Sequence, residues 1–304
     1  MLFYIYIFLG IALLSFGGDY LVKGSSSFAK KLKISPMIIG IVIIGLGTSV
    51  PEIFVASNAV INNAPDIALG SIIGSNIANI LLVFSFALII AKGPLLKIVS
   101  FGDMVIMFLI TLLLVSILII GTLKMPFSLL MVLLLLIYFY CSYRFFNTEM
   151  EIEEIVSNEN LFKVFFKILI GFILLFAGSE LFINGLKDFA NFYGIPEAVL
   201  GLTLAAIGTS LPELAVTFAS VKNKAEKVLL GNIIGSNIIN VLGALGISSI
   251  FGTIVISNNF SNISIYYLFF SAIYLFFMTK IKIKQVYLGF SGLFLYVVYV
   301  FFLY

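Results

Sequence analysis

Two hexapeptides carry the chemistry of this chain. Gly47-Thr48-Ser49-Val50-Pro51-Glu52 and Gly208-Thr209-Ser210-Leu211-Pro212-Glu213 each set two hydroxyls, a proline and a carboxylate inside a long apolar stretch. In the first copy the apolar residues run from about Ser35 to Ile61, so Glu52 falls well inside the segment. An ionised side chain at the centre of a bilayer costs at least about 2.5–3.5 kcal/mol on insertion scales, so such a group faces a wet cavity, a partner or a bound ion. The proline matters as much as the acid. Pro51 has no N–H to give to the carbonyl of Gly47, and it pushes Val50 away from helical angles; Pro212 does the same in the second copy. The helix is expected to break at both points. Carbonyls freed in hydrocarbon persist only where protein, water or an ion satisfies them.

Spacing brings further oxygens to the same place. Thr48 and Glu52 are four residues apart and Ser49 and Glu52 three, which puts them on one side of a helix. In the next apolar segment of each half, Ser75 and Asn79, and Ser236 and Asn240, are again four apart. Carboxylates, hydroxyls, amides and free carbonyls form a hard, all-oxygen set that suits sodium or calcium rather than zinc or copper. The chain has 0 histidines and 1 cysteine, Cys141, so a nitrogen or sulfur metal site, an internal disulfide and a histidine proton shuttle are all excluded. Simpler roles exist for each residue. Ser49-Val50-Pro51-Glu52 also fits a capping box, a use compatible with ligation. Ser75 and Ser236 fit bonds to their own helices, Asn79 and Asn240 fit helix joining, and Gly70, Gly74, Gly231 and Gly235 fit close packing. Asp19 and Glu180 lie nearer the ends of their spans and are expected to be structural or vestibule charges, and Asp103 is expected at a membrane interface.

The elements that must position these groups are membrane spans. The chain has 304 residues, of which 62% are hydrophobic and 10% charged, and its mean hydropathy is +1.22. Those values describe a polytopic membrane protein. Uninterrupted apolar runs such as Met104 to Gly121 lack the alternation of a transmembrane barrel, so the spans are expected to be helical. Ten are expected: Leu2 to Val22, Ser35 to Ile61, Ile67 to Ala91, Phe101 to Gly121, Phe127 to Phe146, Leu161 to Leu186, Ile195 to Val221, Val228 to Phe251, Ile263 to Thr279 and Val286 to Tyr304. The first lacks the basic flank of a cleavable leader and runs on through Asp19 to Lys23, so it reads as a span. With the N- and C-termini outside, only Lys124 and Lys187 of the 17 basic residues face outward. One span more or fewer would destroy that asymmetry.

The halves repeat. At an offset of 161 residues, the separation of Glu52 and Glu213, Gly17 meets Gly178, Gly24 meets Gly185, Ile34 meets Ile195 and Gly40 meets Gly201. The same offset lays Gly70-Ser71-Ile72-Ile73-Gly74-Ser75-Asn76 over Gly231-Asn232-Ile233-Ile234-Gly235-Ser236-Asn237. Residues 1–146 thus form a first repeat of five spans, 147–160 an acidic cytoplasmic linker and 161–304 a second repeat. An odd number of spans in each half makes the second enter from the opposite side. The expected fold is an all-α membrane protein of ten transmembrane helices in two inverted five-helix repeats with broken motif helices.

These paired motifs resemble the cation/calcium antiporters, in particular the prokaryotic sodium/calcium exchangers, over nearly the whole chain. The resemblance implies a central core of four motif helices, with the first and sixth helices sliding across it. It implies that Glu52 and Glu213 bridge calcium with the carbonyls of Thr48 and Thr209. It further implies sodium sites that use Ser49, Ser75, Ser210, Ser236 and carbonyls matching Gly45 and Ala206, with Asn79 and Asn240 beside them. Many members carry an acid at one of the positions matching Asn79 and Asn240, whereas this chain has an amide at both. Its two carboxylates balance one calcium, and sodium ions beyond two would need dipoles to offset them.

The function expected is therefore secondary antiport of Na+ against Ca2+ across the cell membrane, by alternating access at one midplane site. An H+/Ca2+ or K+-linked exchanger is the alternative. An intramembrane enzyme is disfavoured: a Ser-His pair cannot form, and the lysines sit in loops. The inverted repeat favours alternating access over a passive channel. No cofactor, nucleic acid or obligatory protein partner is expected; the partners are the two ions and the lipid bilayer.

Overall fold

Backbone N–H and C=O groups in hydrocarbon must pair within their own segment, and the long runs of Leu, Ile, Val and Phe achieve this as helices. The computed structural model describes residues 2–99, 101–146, 159–193, 208, 210–256, 262–280 and 283–302. In chain order its main helices are α1 (Leu2–Leu32), α2 (Pro36–Thr48), α3 (Val50–Ile61), α4 (Pro65–Ile90), α5 (Phe101–Ile120), α6 (Met125–Phe146), α7 (Leu161–Phe192), α8 (Leu211–Lys222), α9 (Glu226–Ser248), α10 (Asn262–Lys280) and α11 (Gln285–Phe302). Two short strands, β1 (Thr122–Leu123) and β2 (Ile254–Val255), pair antiparallel. Gly121, at φ +81°, ends α5 and turns the chain into β1.

Among the described residues, eight helices are long and apolar enough to cross a membrane, and the bent pair α2 and α3 is so when its two parts are taken together. The expected seventh span, Ile195 to Val221, lies in part outside the described residues; α8 is its second half. Most of the acidic linker also lies outside them. Its last acid, Glu159, accepts a hydrogen bond from Lys167, which holds the carboxyl below the usual carboxylate range.

The helix breaks one residue earlier than the proline leads one to expect: Val50, like Leu211 in the second copy, already belongs to the helix that contains the proline, and the break falls at Ser49. The axes of α2 and α3 differ by 42° at Ser49. Ser49 (φ −84°, ψ −1°) and Ser210 (φ −93°, ψ 6°) adopt nearly the same angles, in the bridge region that suits a helix start. Neither serine side chain caps the helix that follows it, so the capping-box role is not taken up. Wide, π-helical turns occupy Gly40–Gly45, Asn79–Phe84 and Ile239–Leu245. Such turns are rare and concentrate at functional sites. Two of these turns begin beside Asn79 and Asn240.

Glycine decides which helices touch. Gly10, Gly17 and Gly24 of α1 recur every seventh residue and meet α7, where Gly171, Gly178 and Gly185 have the same spacing. A Cβ on Gly10 would stand 2.7 Å from the Phe182 nitrogen, and one on Gly171 2.7 Å from that of Leu21. The two helices run antiparallel along this seam. Two buried helices form the centre: α9 is 100% and α4 78% buried along its apolar window, against 33% for α1 and 22% for α7. In the centre Gly231 lets α9 touch α2, since a Cβ there would lie 2.2 Å from the carbonyl oxygen of Met37. Asp19 of α1 is held at the far end of α8 by Lys222 (2.6 Å) and Asn223 (3.0 Å), a structural role. Asp103, in the first turn of α5, is fully buried within the protein beside Tyr138.

The seam at Gly231 yields a direct test. Gly231→Val would force α2 and α9 apart, and overpacking of this kind destabilises by about 1–3 kcal/mol. A fall in the melting temperature of the detergent-solubilised protein is expected. Gly93→Ala, whose Cβ meets nothing nearer than 3.7 Å, is expected to melt with the parent.

Candidate cation site

The start of α8 and the junction of α2 with α3 face α4 and α9, and there the polar side chains converge. Glu52 and Glu213 are both fully buried, and their charges are close enough to act on each other. Ser75 of α4 donates to Glu52 Oε1 (3.0 Å) and accepts from Asn240 Nδ2 of α9 (3.1 Å). Asn240 Nδ2 also reaches Asn76 Oδ1 at 3.3 Å. On the other side the Thr48 hydroxyl lies 3.2 Å from both Ser236 Oγ and Asn232 Oδ1, 3.4 Å from the Gly45 carbonyl oxygen, and faces Glu213. Residues distant in sequence thus interlock around the two acids.

Several atoms in this cluster have no hydrogen-bond partner among the described residues. They are Glu52 Oε2, both Glu213 carboxylate oxygens, the hydroxyls of Ser49 and Ser210, Asn240 Oδ1, Asn232 Nδ2, and both amide atoms of Asn79. All belong to fully buried residues. Native proteins rarely leave buried polar atoms unpaired, and an unpaired carboxylate out of water is the costliest case. All but two of these atoms are oxygens. A hard cation satisfies such oxygens together and neutralises the acids. Among the described residues no group of three or more Asp, Glu, His or Cys side chains gathers, so the formal charge here is that of two carboxylates.

Of the residues singled out by sequence, Thr48, Ser49, Glu52, Ser75, Asn79, Ser210, Glu213, Ser236 and Asn240 are buried in this part of the protein, with the Gly45 carbonyl turned toward Thr48. Thr209 and Ala206 lie outside the described residues. Two participants were not singled out, Asn232 and Asn76. Asn232 precedes Ser236 by four residues, the same step that separates Ser236 from Asn240, so helical periodicity could have found it. Asn76 gave no such sign, because its role depends on how α4 meets α9.

A cavity of about 700 Å³ opens beside the cluster. Its wall includes Pro51 and Pro212, each one residue before a buried glutamate, together with Ser179, Glu180, Asn184 and Lys187 of α7. Glu180, the counterpart of Asp19 at the 161-residue offset, thus lines this cavity, whereas Asp19 is tied to Lys222.

Membrane-crossing helices that bury oxygens around two carboxylates define a membrane protein suited to hard cations. The particular family follows from comparison with known proteins. The model of the family described as sodium/calcium exchanger protein matches residues 2–144 and 163–304, and the chain belongs to that family. An uncharacterised membrane protein of Methanocaldococcus jannaschii is 37% identical over 248 residues, 81% of each chain. Sodium/calcium exchanger MaX1 of Methanosarcina acetivorans is 28% identical over 295 residues, 82% of this chain and 83% of that one. Among solved structures, the sodium-calcium exchanger NCX_Mj soaked with 2.5 mM Na+ and 0.1 mM Ca2+ superposes with a TM-score of 0.83. It is 30% identical, and the match covers 98% of this chain and 97% of that one.

If the two carboxylates act together, neither half suffices alone. Removing one member of a buried charged pair typically costs about 3–5 kcal/mol, equivalent to at least about 100-fold in affinity. Glu213→Gln is therefore expected to weaken calcium binding by at least about 100-fold, measured by isothermal titration on the purified protein. Binding within about twofold of the parent would show that Glu213 is not a ligand.

Proposed function

We propose that the protein is a secondary antiporter that exchanges Na+ for Ca2+ through one midplane site open alternately to each side of the cell membrane. Glu52 and Glu213 hold the ion, with the Thr48 and Thr209 carbonyls completing a calcium site. Sodium takes overlapping positions at Ser49, Ser75, Ser210 and Ser236 and at the Gly45 and Ala206 carbonyls, near Asn79 and Asn240. The observation that carries this reading is the cluster of unpaired buried oxygens around two carboxylates. Ions that share those carboxylates cannot all be bound together, and that competition is what couples their movements. The protein is a transporter in this reading, with no enzymatic step.

The architecture proposed is two inverted five-helix halves, residues 1–146 and 161–304, joined by an acidic cytoplasmic linker at 147–160, with both termini outside. Support comes from the antiparallel seam of α1 and α7, whose glycines correspond at the 161-residue offset. The two stretches matched by the family model coincide closely with these halves. A seam with so few side chains allows α1 and α7 to shift together over the core helices, which is the movement alternating access requires.

Two carboxylates and two neutral amides balance one Ca2+ or two Na+, and a third Na+ would rest on dipoles alone. In vesicles loaded with Na+, 45Ca2+ uptake should rise with the imposed sodium gradient. Equal uptake when a proton or potassium gradient replaces it would move the assignment to an H+/Ca2+ or K+-linked exchanger.

A further inference from the structure

The polar stripe that carries Glu213 continues past it. Ser210, Glu213, Thr217 and Ser220 follow one another along α8 at steps of three, four and three residues, which is one helix face. All four are fully buried. The Thr217 and Ser220 hydroxyls, like the Ser210 hydroxyl and both Glu213 oxygens, have no hydrogen-bond partner among the described residues. Helical Ser and Thr hydroxyls commonly bond back to the carbonyl four residues earlier. Thr111 does so to Met107 (3.0 Å) and Ser116 to Leu112 (2.8 Å). Thr217 and Ser220 forgo that bond and, among the described residues, find no other partner.

The direction of the stripe is informative. At 1.5 Å rise per residue, Thr217 and Ser220 lie about 6 and about 10 Å beyond Glu213 along the helix axis. They lead away from Pro212, where α8 meets the open cavity, and toward Lys222, which is bound to Asp19. α1 covers a different face of α8, since Gly18 packs on Ala215 and Ala219. The stripe turns instead toward the core, where α8 packs on α4 and α9. The corresponding residues of the first half, at the 161-residue offset, are Ala56 and Ala59. One side of the site therefore has an open cavity, and the other has two buried, unpaired hydroxyls that the first half replaces with alanines.

We propose that Thr217 and Ser220 line the second passage of the transporter, through which an ion leaves Glu213 toward the Lys222 end when that side opens. This rests on the alternating-access reading. In the state described here the passage is shut, with the Asp19–Lys222 pair at its end. On opening, the two hydroxyls supply oxygen to an ion that has left the carboxylates and has not yet regained its full hydration.

The test uses Ser220→Cys on a Cys141→Ser parent, in vesicles of both orientations, with a charged methanethiosulfonate reagent that does not cross the bilayer. During sodium-driven exchange, reagent on the Lys222 side should modify the new thiol and stop transport, and reagent on the other side should do neither. Exchange that proceeds with the thiol unmodified by reagent on the Lys222 side, or modification from the opposite side, would overturn the passage. The Cys141→Ser parent separates the two ideas: absence of sodium-driven calcium uptake there would count against antiport itself. A second, near-isosteric variant guards against misfolding of the first. Thr217→Val should lower the maximal exchange rate by about tenfold with half-saturating calcium within about twofold of the parent, and Thr217→Ser should restore the rate. An unchanged rate in Thr217→Val would contradict the proposal.

Discussion

The structure depends on one electrostatic constraint: two carboxylates, Glu52 and Glu213, are fully buried, and among the described residues no basic side chain pairs with either. Removing a carboxylate from water costs several kcal/mol even after the surroundings relax. Here that cost is carried twice, at Glu52 and Glu213, both fully buried. The hydrogen bonds supplied are few. Ser75 gives one to Glu52, and among the described residues the remaining carboxylate oxygens have none. An arrangement of this kind is expensive as architecture and sensible as a binding site, because a cation both neutralises the acids and completes the oxygens around them.

The surrounding fold supplies what such a site needs. Pro51 and Pro212 each stand at the start of a helical segment, and each glutamate lies in that segment's first turn. Helices α4 and α9 bring the hydroxyls and amides and are the most buried of the candidate spans. Glycines at the contact surfaces allow backbones to approach until almost no side chain intervenes. The outer seam of α1 and α7 resembles the central contacts in this respect but serves a different end. It joins two long helices to each other while leaving most of their surface free of the core.

Much of this was legible in the sequence because its physics is local. A proline and an acid inside an apolar run announce a break and a site wherever the chain goes, and the 42° bend at Ser49 follows from them. The positions of Ser75, Ser236, Asn79 and Asn240 followed from helical periodicity. Contacts that depend on which helices meet were not legible. That Asn240 reaches Ser75 and Asn76, or that Thr48 reaches Asn232, comes from the packing of segments more than 160 residues apart. The glycines at 10 and 171 were overlooked although they extend a visible seven-residue spacing. The serines before the prolines matched a capping pattern, yet their hydroxyls do not cap.

The central claim is that Glu52 and Glu213 together hold a single divalent cation. Diffraction from crystals soaked in strontium, an electron-rich substitute for calcium, tests it most directly. The account predicts one strong anomalous peak between the two carboxylates, within coordinating distance of an oxygen from each, which fades as sodium is raised. Strontium bound to one carboxylate alone, or no peak between them at saturating strontium without sodium, would contradict it.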